Sequence, residues 1–273
     1  MTAVFVHGLP ETGRVWDSLR RFLERDSVAL DLPGFGAPRP AGFSATKDAY
    51  VQWLGDALKG IEGPIDLVGH DVGALLALRL ATAFDVPLRS FAVDVAPVFH
   101  PRFVWSERVH RLQTPGVGED FLRAMREADP EDPDSTASRL ANGGMPIVEA
   151  KAMGAAHDET MSRCILDFYR SAVPNVGADS WKDVNGPTRS RGLVLLLPDP
   201  PEAEQMSVDV AGRLGAQTAR LDGLEHCWMA QGPRGRSRGP ATVLVFLTRP
   251  VECAQGTLGR WRCGSRCRST RRR

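Results

Sequence analysis

Six short apolar runs recur along the chain, and they constrain the fold more than any other feature. AVFVHG (3–8), SVALDLPGFG (27–36), IDLVGHD (65–71), LRSFAVDVAP (88–97), GLVLLLP (192–198) and TARLDG (218–223) each read as a strand, most of them running into a Gly or Pro turn. Between them, DAYVQWLGDALKGI (48–61) and ALLALRLATAF (74–84) space their apolar residues as helices do. Strands with almost no polar alternation, separated by helices, predict a parallel sheet covered on both faces. Right-handed crossovers then bring the strand C-termini to one edge, where such sheets bind ligands. The interval 98–190 interrupts the alternation with helical patches such as EDFLRAMREA and ETMSRCILDFYRSAV. It is too long and too apolar for a loop and reads as a helical cap inserted after the fourth strand. The expected organisation is an α/β core over 1–97 and 191–248, a cap over 98–190, and a disordered basic tail over 249–273. GPATVLVFLTR (239–249) is expected to be the last helix.

A chain of 273 residues accommodates one core domain with such an insertion. No apolar stretch reaches membrane-spanning length, and the N-terminus MTAVFVHG lacks the basic and apolar regions of a signal peptide. Of five scattered cysteines only Cys164 and Cys227 lie in the patterned region, which predicts a reduced, cytoplasmic protein without a disulfide framework. None has zinc-ligand spacing with histidines, so no metal and no cofactor is expected. The net charge of +1 conceals an acidic body and a basic end, with eleven arginines and one acid (Glu252) in 232–273. That end shows no interleaved aromatics and no basic face, so no nucleic-acid partner is expected. The expected partner is a small-molecule substrate, with no membrane; the sequence does not fix the oligomeric state.

The sharpest chemical signal is LVGHDVGALLALRL, beginning at Leu67, in which Asp71 stands between Gly69 and Gly73 where a strand turns into a helix. The pattern small-x-nucleophile-x-small at such a turn is a nucleophile elbow. Its central residue adopts a strained backbone, and its neighbours must be small. The turn raises the Asp71 side chain above the sheet edge and aims the Val72 N–H at a helix N-terminus, where an anion is favoured. His-Gly-Leu-Pro at 7–10 ends the first strand and offers the Leu9 N–H as a second oxyanion donor. His226 follows the sixth strand and can reach the same edge as a base. Asp199 is the preferred acid to orient it, with Glu202 and Asp94 as alternatives. His7 is read as supporting the oxyanion loop, and His70 as packing beside the elbow. Tyr50, Trp105, Phe103 and Trp228 are read as packing residues, and His100, His110 and His157 are assigned no role.

These motifs resemble the α/β-hydrolase fold family, in the branch that includes epoxide hydrolases and haloalkane dehalogenases. HGLP (7–10), DLPGFG (31–36), GHDVGA (69–74), Asp199 and GLEHCWM around His226 carry the resemblance, over roughly residues 1–250. It implies a two-step reaction. A carboxylate, already ionised near neutral pH, attacks an electrophilic carbon and forms an alkyl-enzyme ester. Water activated by His226 then hydrolyses that ester at the Asp71 carbonyl, with the oxyanion on Leu9 and Val72 N–H. Haloalkane dehalogenases hold the halide with a Trp after the nucleophile and a nearby Asn or Trp; here Val72 and Leu9 occupy those places. Epoxide hydrolases protonate the epoxide oxygen from cap tyrosines, and Tyr169 is the candidate here. The expectation is therefore a hydrolase most like an epoxide hydrolase, acting on a small apolar substrate. The alternatives are a dehalogenase with atypical halide donors and a non-catalytic, ligand-binding member of the fold.

Overall fold

The computed structural model describes residues 1–177, 181, 186–231 and 239–248. The expected basic tail, 249–273, lies outside the described residues. Six parallel strands form one sheet in the order β2-β1-β3-β4-β5-β6. They are β1 (Thr2–Val6), β2 (Ser27–Leu30), β3 (Ile65–Gly69), β4 (Leu88–Val93), β5 (Arg191–Leu196) and β6 (Gln217–Arg220). Each lies within one of the apolar runs or begins one residue before it. The helices of the core are α1 (Asp17–Arg20), α2 (Lys47–Lys59) and α3 (Val72–Ala83). Five more lie between β4 and β5: α4 (Glu107–Gln113), α5 (Val117–Glu127), α6 (Thr136–Asn142), α7 (Ile147–Ala155) and α8 (Glu159–Arg170). The last two are α9 (Pro201–Leu214) and α10 (Gly239–Thr248). Among the described residues, no helix is long and apolar enough to cross a membrane.

The strands read as unbroken apolar runs because both of their sides are covered. Val4, Val6, Leu67, Phe91, Val93 and Val194 face one apolar layer, shared with α2, α3 and α9. Ala3, Phe5, Val68, Ala92, Leu193 and Leu195 face the other, shared with Trp16, Leu19 and α10. Full burial of one Leu or Phe in either layer contributes roughly 1.5–3 kcal/mol. The chain runs from β1 outward to β2, then returns past β1 to β3. The connections therefore diverge at the C-terminal ends of β1 and β3, which opens the crevice that this topology uses for ligands.

The inserted helices divide between the two layers. Residues of α4, α5 and α8 join the first, and residues of α6 and α7 the second. Ser106, Ser135 and Asp158 start α4, α6 and α8, each accepting a bond from a first-turn N–H with its side chain. A buried polar knot joins α6 to α8. His157 Nδ1 lies 2.7 Å from Thr136 Oγ1, and its Nε2 lies 2.9 Å from Ser162 Oγ. Burial, reinforced by the nearby charge of Arg126, lowers the His157 pKa to about 4, so the imidazole is neutral in the fold. Once unfolded, it binds a proton below its ordinary pKa of about 6.5. Its contribution to stability is therefore complete above pH 6.5 and is lost as pH falls from there toward 4, up to about 3 kcal/mol. In thermal melts, His157→Gln should lose less stability between pH 7 and pH 4.5 than the parent; equal losses would refute the assignment.

Candidate active site

Strand register builds the site. Val6 of β1 pairs with Gly69 of β3, and Gly69 pairs with Val93 of β4. The next residue on each strand is therefore His7, His70 and Asp94, set side by side at the sheet edge, with Asp71 one residue further on. The ladder continues one step, as the His70 N–H donates to Val6 O at 3.0 Å.

Asp71 has φ 48° and ψ −118°, a left-handed backbone that L-residues avoid and that nucleophile elbows require. Close packing dictates the flanking glycines. A Cβ on Gly69 would lie 2.3 Å from Gly73 O, and one on Gly73 would lie 2.3 Å from Val6 O. Val95 also has a positive φ, 49°, but with ψ 28° it lies in the left-handed helical region. It follows Asp94, so strained backbone flanks the site at both β3 and β4.

The Asp71 carboxylate is half-buried, and its Oδ2 accepts the Leu9 N–H at 3.1 Å. Val72 begins α3, beside the carboxylate. His7 is fully buried and anchors the base of the oxyanion loop. Its Nε2 accepts the Leu32 N–H at 3.0 Å, while Nδ1 lies 2.7 Å from Gly8 O. Burial lowers its pKa, and a neutral ring that donates from Nδ1 satisfies both bonds.

His226 lies on the loop after β6, exposed to solvent, with its ring 4.5 Å from that of His70. It makes no hydrogen bond to another described residue. Three carboxylates lie in its electrostatic field, Asp199 beyond β5, Asp94 at the end of β4 and Glu11 after the HGLP turn. Asp94 is already engaged. Its Oδ1 accepts the Asp71 N–H at 2.9 Å, and its Oδ2 receives the Trp228 indole N–H at 2.8 Å and lies 2.5 Å from His70 Nδ1. The Asp199 carboxylate accepts no hydrogen bond from a described residue, and its desolvation raises its pKa. Glu202 sits in the first turn of α9 and faces Arg102 at 3.9 Å, in a surface pair.

Above the elbow, Tyr169 of α8 is buried, packed edge-on against Trp105 (5.8 Å) and Phe168 (5.5 Å). Desolvation, together with the charge of Asp71, pushes its phenol pKa up. That hydroxyl bonds to no described residue. Leu9, Val72, Trp105 and Tyr169 belong to one apolar core cluster. Tyr50 spends its hydroxyl on Pro33 O at 2.8 Å and is a packing residue, as expected.

Three features were not anticipated from the sequence. His70 packs beside the elbow as expected but also lies between the Asp94 and Glu11 carboxylates; burial opposes its charge, but the two acids hold its pKa well above the ordinary value. Trp228 is more than packing, because its N–H secures Asp94. Glu11 is almost fully buried, directly after HGLP, and its Oε2 accepts the Gly8 N–H at 2.9 Å. The only sequence signal for it was an acid adjoining an apolar turn. Among the described residues, no cluster of three or more His, Cys, Asp or Glu could hold a metal ion.

Comparison with known proteins gives concordant results. Residues 3–236 match the model described as the alpha/beta hydrolase family. The lipase LipV of Mycobacterium tuberculosis is 28% identical over 179 residues, covering 65% of this chain and 60% of LipV, so the chain spans about three-fifths of that relative's length. A Pseudomonas aeruginosa structure described as an epoxide hydrolase superposes with a TM-score of 0.74 at 22% identity, covering 90% of this chain and 88% of that one. A loop variant of the haloalkane dehalogenase DbeA from Bradyrhizobium elkanii gives 0.67 at 19% identity, with 90% and 88% covered. MenH from S. aureus gives 0.66 at 16%, with 90% and 93% covered. Likeness at these identities speaks for the fold, while activity depends on the site.

Proposed function

The chain belongs to the alpha/beta hydrolase family, and from that premise we propose that it is a hydrolase whose nucleophile is the Asp71 carboxylate, most like an epoxide hydrolase acting on a small apolar substrate. The observation that carries this reading is a carboxylate at the left-handed elbow, already resting on the Leu9 N–H, with the Tyr169 phenol in its field. Asp71 attacks an epoxide carbon and opens the ring, and Tyr169 gives its proton to the departing oxygen. His226 then takes a proton from water, and the hydroxide adds to the ester carbonyl, its oxyanion held by the Leu9 and Val72 N–H groups. Collapse releases the diol, protonated by His226. The proton left on Asp71 returns through solvent to Tyr169. Asp199 orients His226 in this scheme, since it lies in the imidazole's field with its carboxylate otherwise unused.

Halide release fits less well. Val72 and Leu9 offer no side-chain donor, and the indole N–H groups of Trp105, Trp181 and Trp228 go to Ala172 O, Asp48 and Asp94. An ester substrate would turn an attacking carboxylate into an anhydride, whereas lipases and esterases of this fold place Ser at the elbow. A panel of aliphatic epoxides and haloalkanes is the test. Diol formation without halide release is expected, and Tyr169→Phe should slow epoxide opening about 100-fold, the usual scale of one general acid. Halide release from haloalkanes, with epoxides inert, would replace this reading by the dehalogenase one.

A further inference from the structure

Nucleophile, base and cap phenol do not account for all the charge at the site. Glu11, His70 and Asp94 are 1%, 0% and 0% exposed. Buried ionic groups seldom add net stability over apolar residues of the same volume, so their arrangement calls for another explanation. The contacts follow one line. The Gly8 N–H donates to Glu11 Oε2 (2.9 Å), and Glu11 Oε1 lies 3.4 Å from His70 Nε2. His70 Nδ1 lies 2.5 Å from Asp94 Oδ2, and Asp94 Oδ1 accepts the Asp71 N–H at 2.9 Å. The line starts on the peptide N–H next to the Leu9 donor and ends on the backbone of the nucleophile. The Leu9 N–H to Asp71 Oδ2 bond closes it into a ring.

We infer that Glu11, His70 and Asp94 are positioning residues that hold the Gly8–Leu9 loop at the separation from Asp71 at which the Leu9 N–H receives the oxyanion. This rests on the aspartyl-ester reading above. His7 fixes the base of the loop through Leu32, and Glu11 fixes its tip through Gly8. Neither tie touches substrate. Burial opposes the charge on Glu11, yet His70 and His226 lower its pKa to about 2, so the loop is held by a full carboxylate.

The two halves of the reaction depend on this ring unequally. Ester formation develops no oxyanion on Asp71; ester hydrolysis does. Loosening the loop should therefore slow the second half selectively. Glu11→Gln keeps an oxygen for the Gly8 N–H but removes the charge facing His70. With an epoxide substrate, ester formation should stay within about twofold of the parent while hydrolysis slows at least tenfold, against roughly 100- to 1,000-fold for complete loss of an oxyanion donor. The Asp71 peptide should then carry substrate mass at steady state. Equal slowing of both halves, or of neither, overturns the inference. His226→Gln is the reference. If it forms ester and Glu11→Gln does not accumulate any, the positioning inference fails while the aspartyl-ester chemistry stands. If it forms none with any epoxide or haloalkane, that chemistry has failed, and amide exchange in Glu11→Ala decides the cluster. Gly8 and Leu9 should then exchange at least about tenfold faster, with β3 and β4 amides unchanged; unaltered exchange at Gly8 and Leu9 overturns it.

Discussion

Asp71→Asn should abolish turnover, by at least about four orders of magnitude, while leaving the fold and its melting temperature almost unchanged. The substitution is nearly isosteric. Its amide oxygen can still accept the Leu9 N–H that now rests on Asp71 Oδ2, and the left-handed backbone at the elbow tolerates Asn as well as Asp. What disappears is the negative charge that attacks carbon. Loss of a covalent nucleophile costs far more than loss of an orienting group, because the remaining donors stabilise a transition state that no longer forms. The same residue gives a positive signature in the parent protein. In one turnover in ¹⁸O water, the oxygen that enters the product comes from Asp71 itself, and solvent ¹⁸O replaces it on the carboxylate. Mass spectrometry of the peptide containing Asp71 should show a gain of about 2 Da. Turnover with an unlabelled peptide would mean that water attacks the substrate directly, and the ester mechanism would be wrong.

The elbow was legible in the sequence because its requirements are local. Gly69 and Gly73 are demanded by atoms only a few residues away or on the adjoining strand, and an anion at a helix N-terminus is a matter of chain order alone. The six strands were legible for a related reason: a strand buried on both faces has no polar alternation to disguise it. Glu11, His70 and Asp94 were not read as a unit because their association depends on register. Val6, Gly69 and Val93 lie abreast in the sheet, a fact of tertiary pairing that no short-range pattern encodes. The same limit applied to the acid. Spacing favoured Asp199, with Asp94 and Glu202 open; in the fold Glu202 faces Arg102 at the surface, and Asp94 meets Asp71, His70 and Trp228, partners that no spacing displays. Tyr169 could be placed on a cap helix from its periodicity, but its position relative to Asp71 depends on how α8 packs on the core, which periodicity leaves undefined.

His226→Gln should separate the two halves of the reaction. Steady-state turnover should fall roughly 100- to 10,000-fold, the range that a general base supplies, but the first turnover should still form ester. The enzyme would then collect as a stable covalent adduct, one substrate per chain, carried on the peptide containing Asp71. The reason lies in the division of labour at the sheet edge. Alkylation needs the carboxylate of Asp71 and a proton donor in the cap, and His226 is neither: its exposed ring faces water and lies tilted against that of His70 rather than bonding to Asp71. Hydrolysis needs a proton removed from water next to the ester carbonyl, and glutamine at that position cannot accept it into a basic lone pair. Asp199→Asn should slow the same half-reaction by a smaller factor, since the imidazole would remain but lose the carboxylate in its field. If Asp199→Asn leaves the hydrolytic rate unchanged, Asp199 has no part in the site; if His226→Gln still completes turnovers at the parental rate, the base lies elsewhere on this edge.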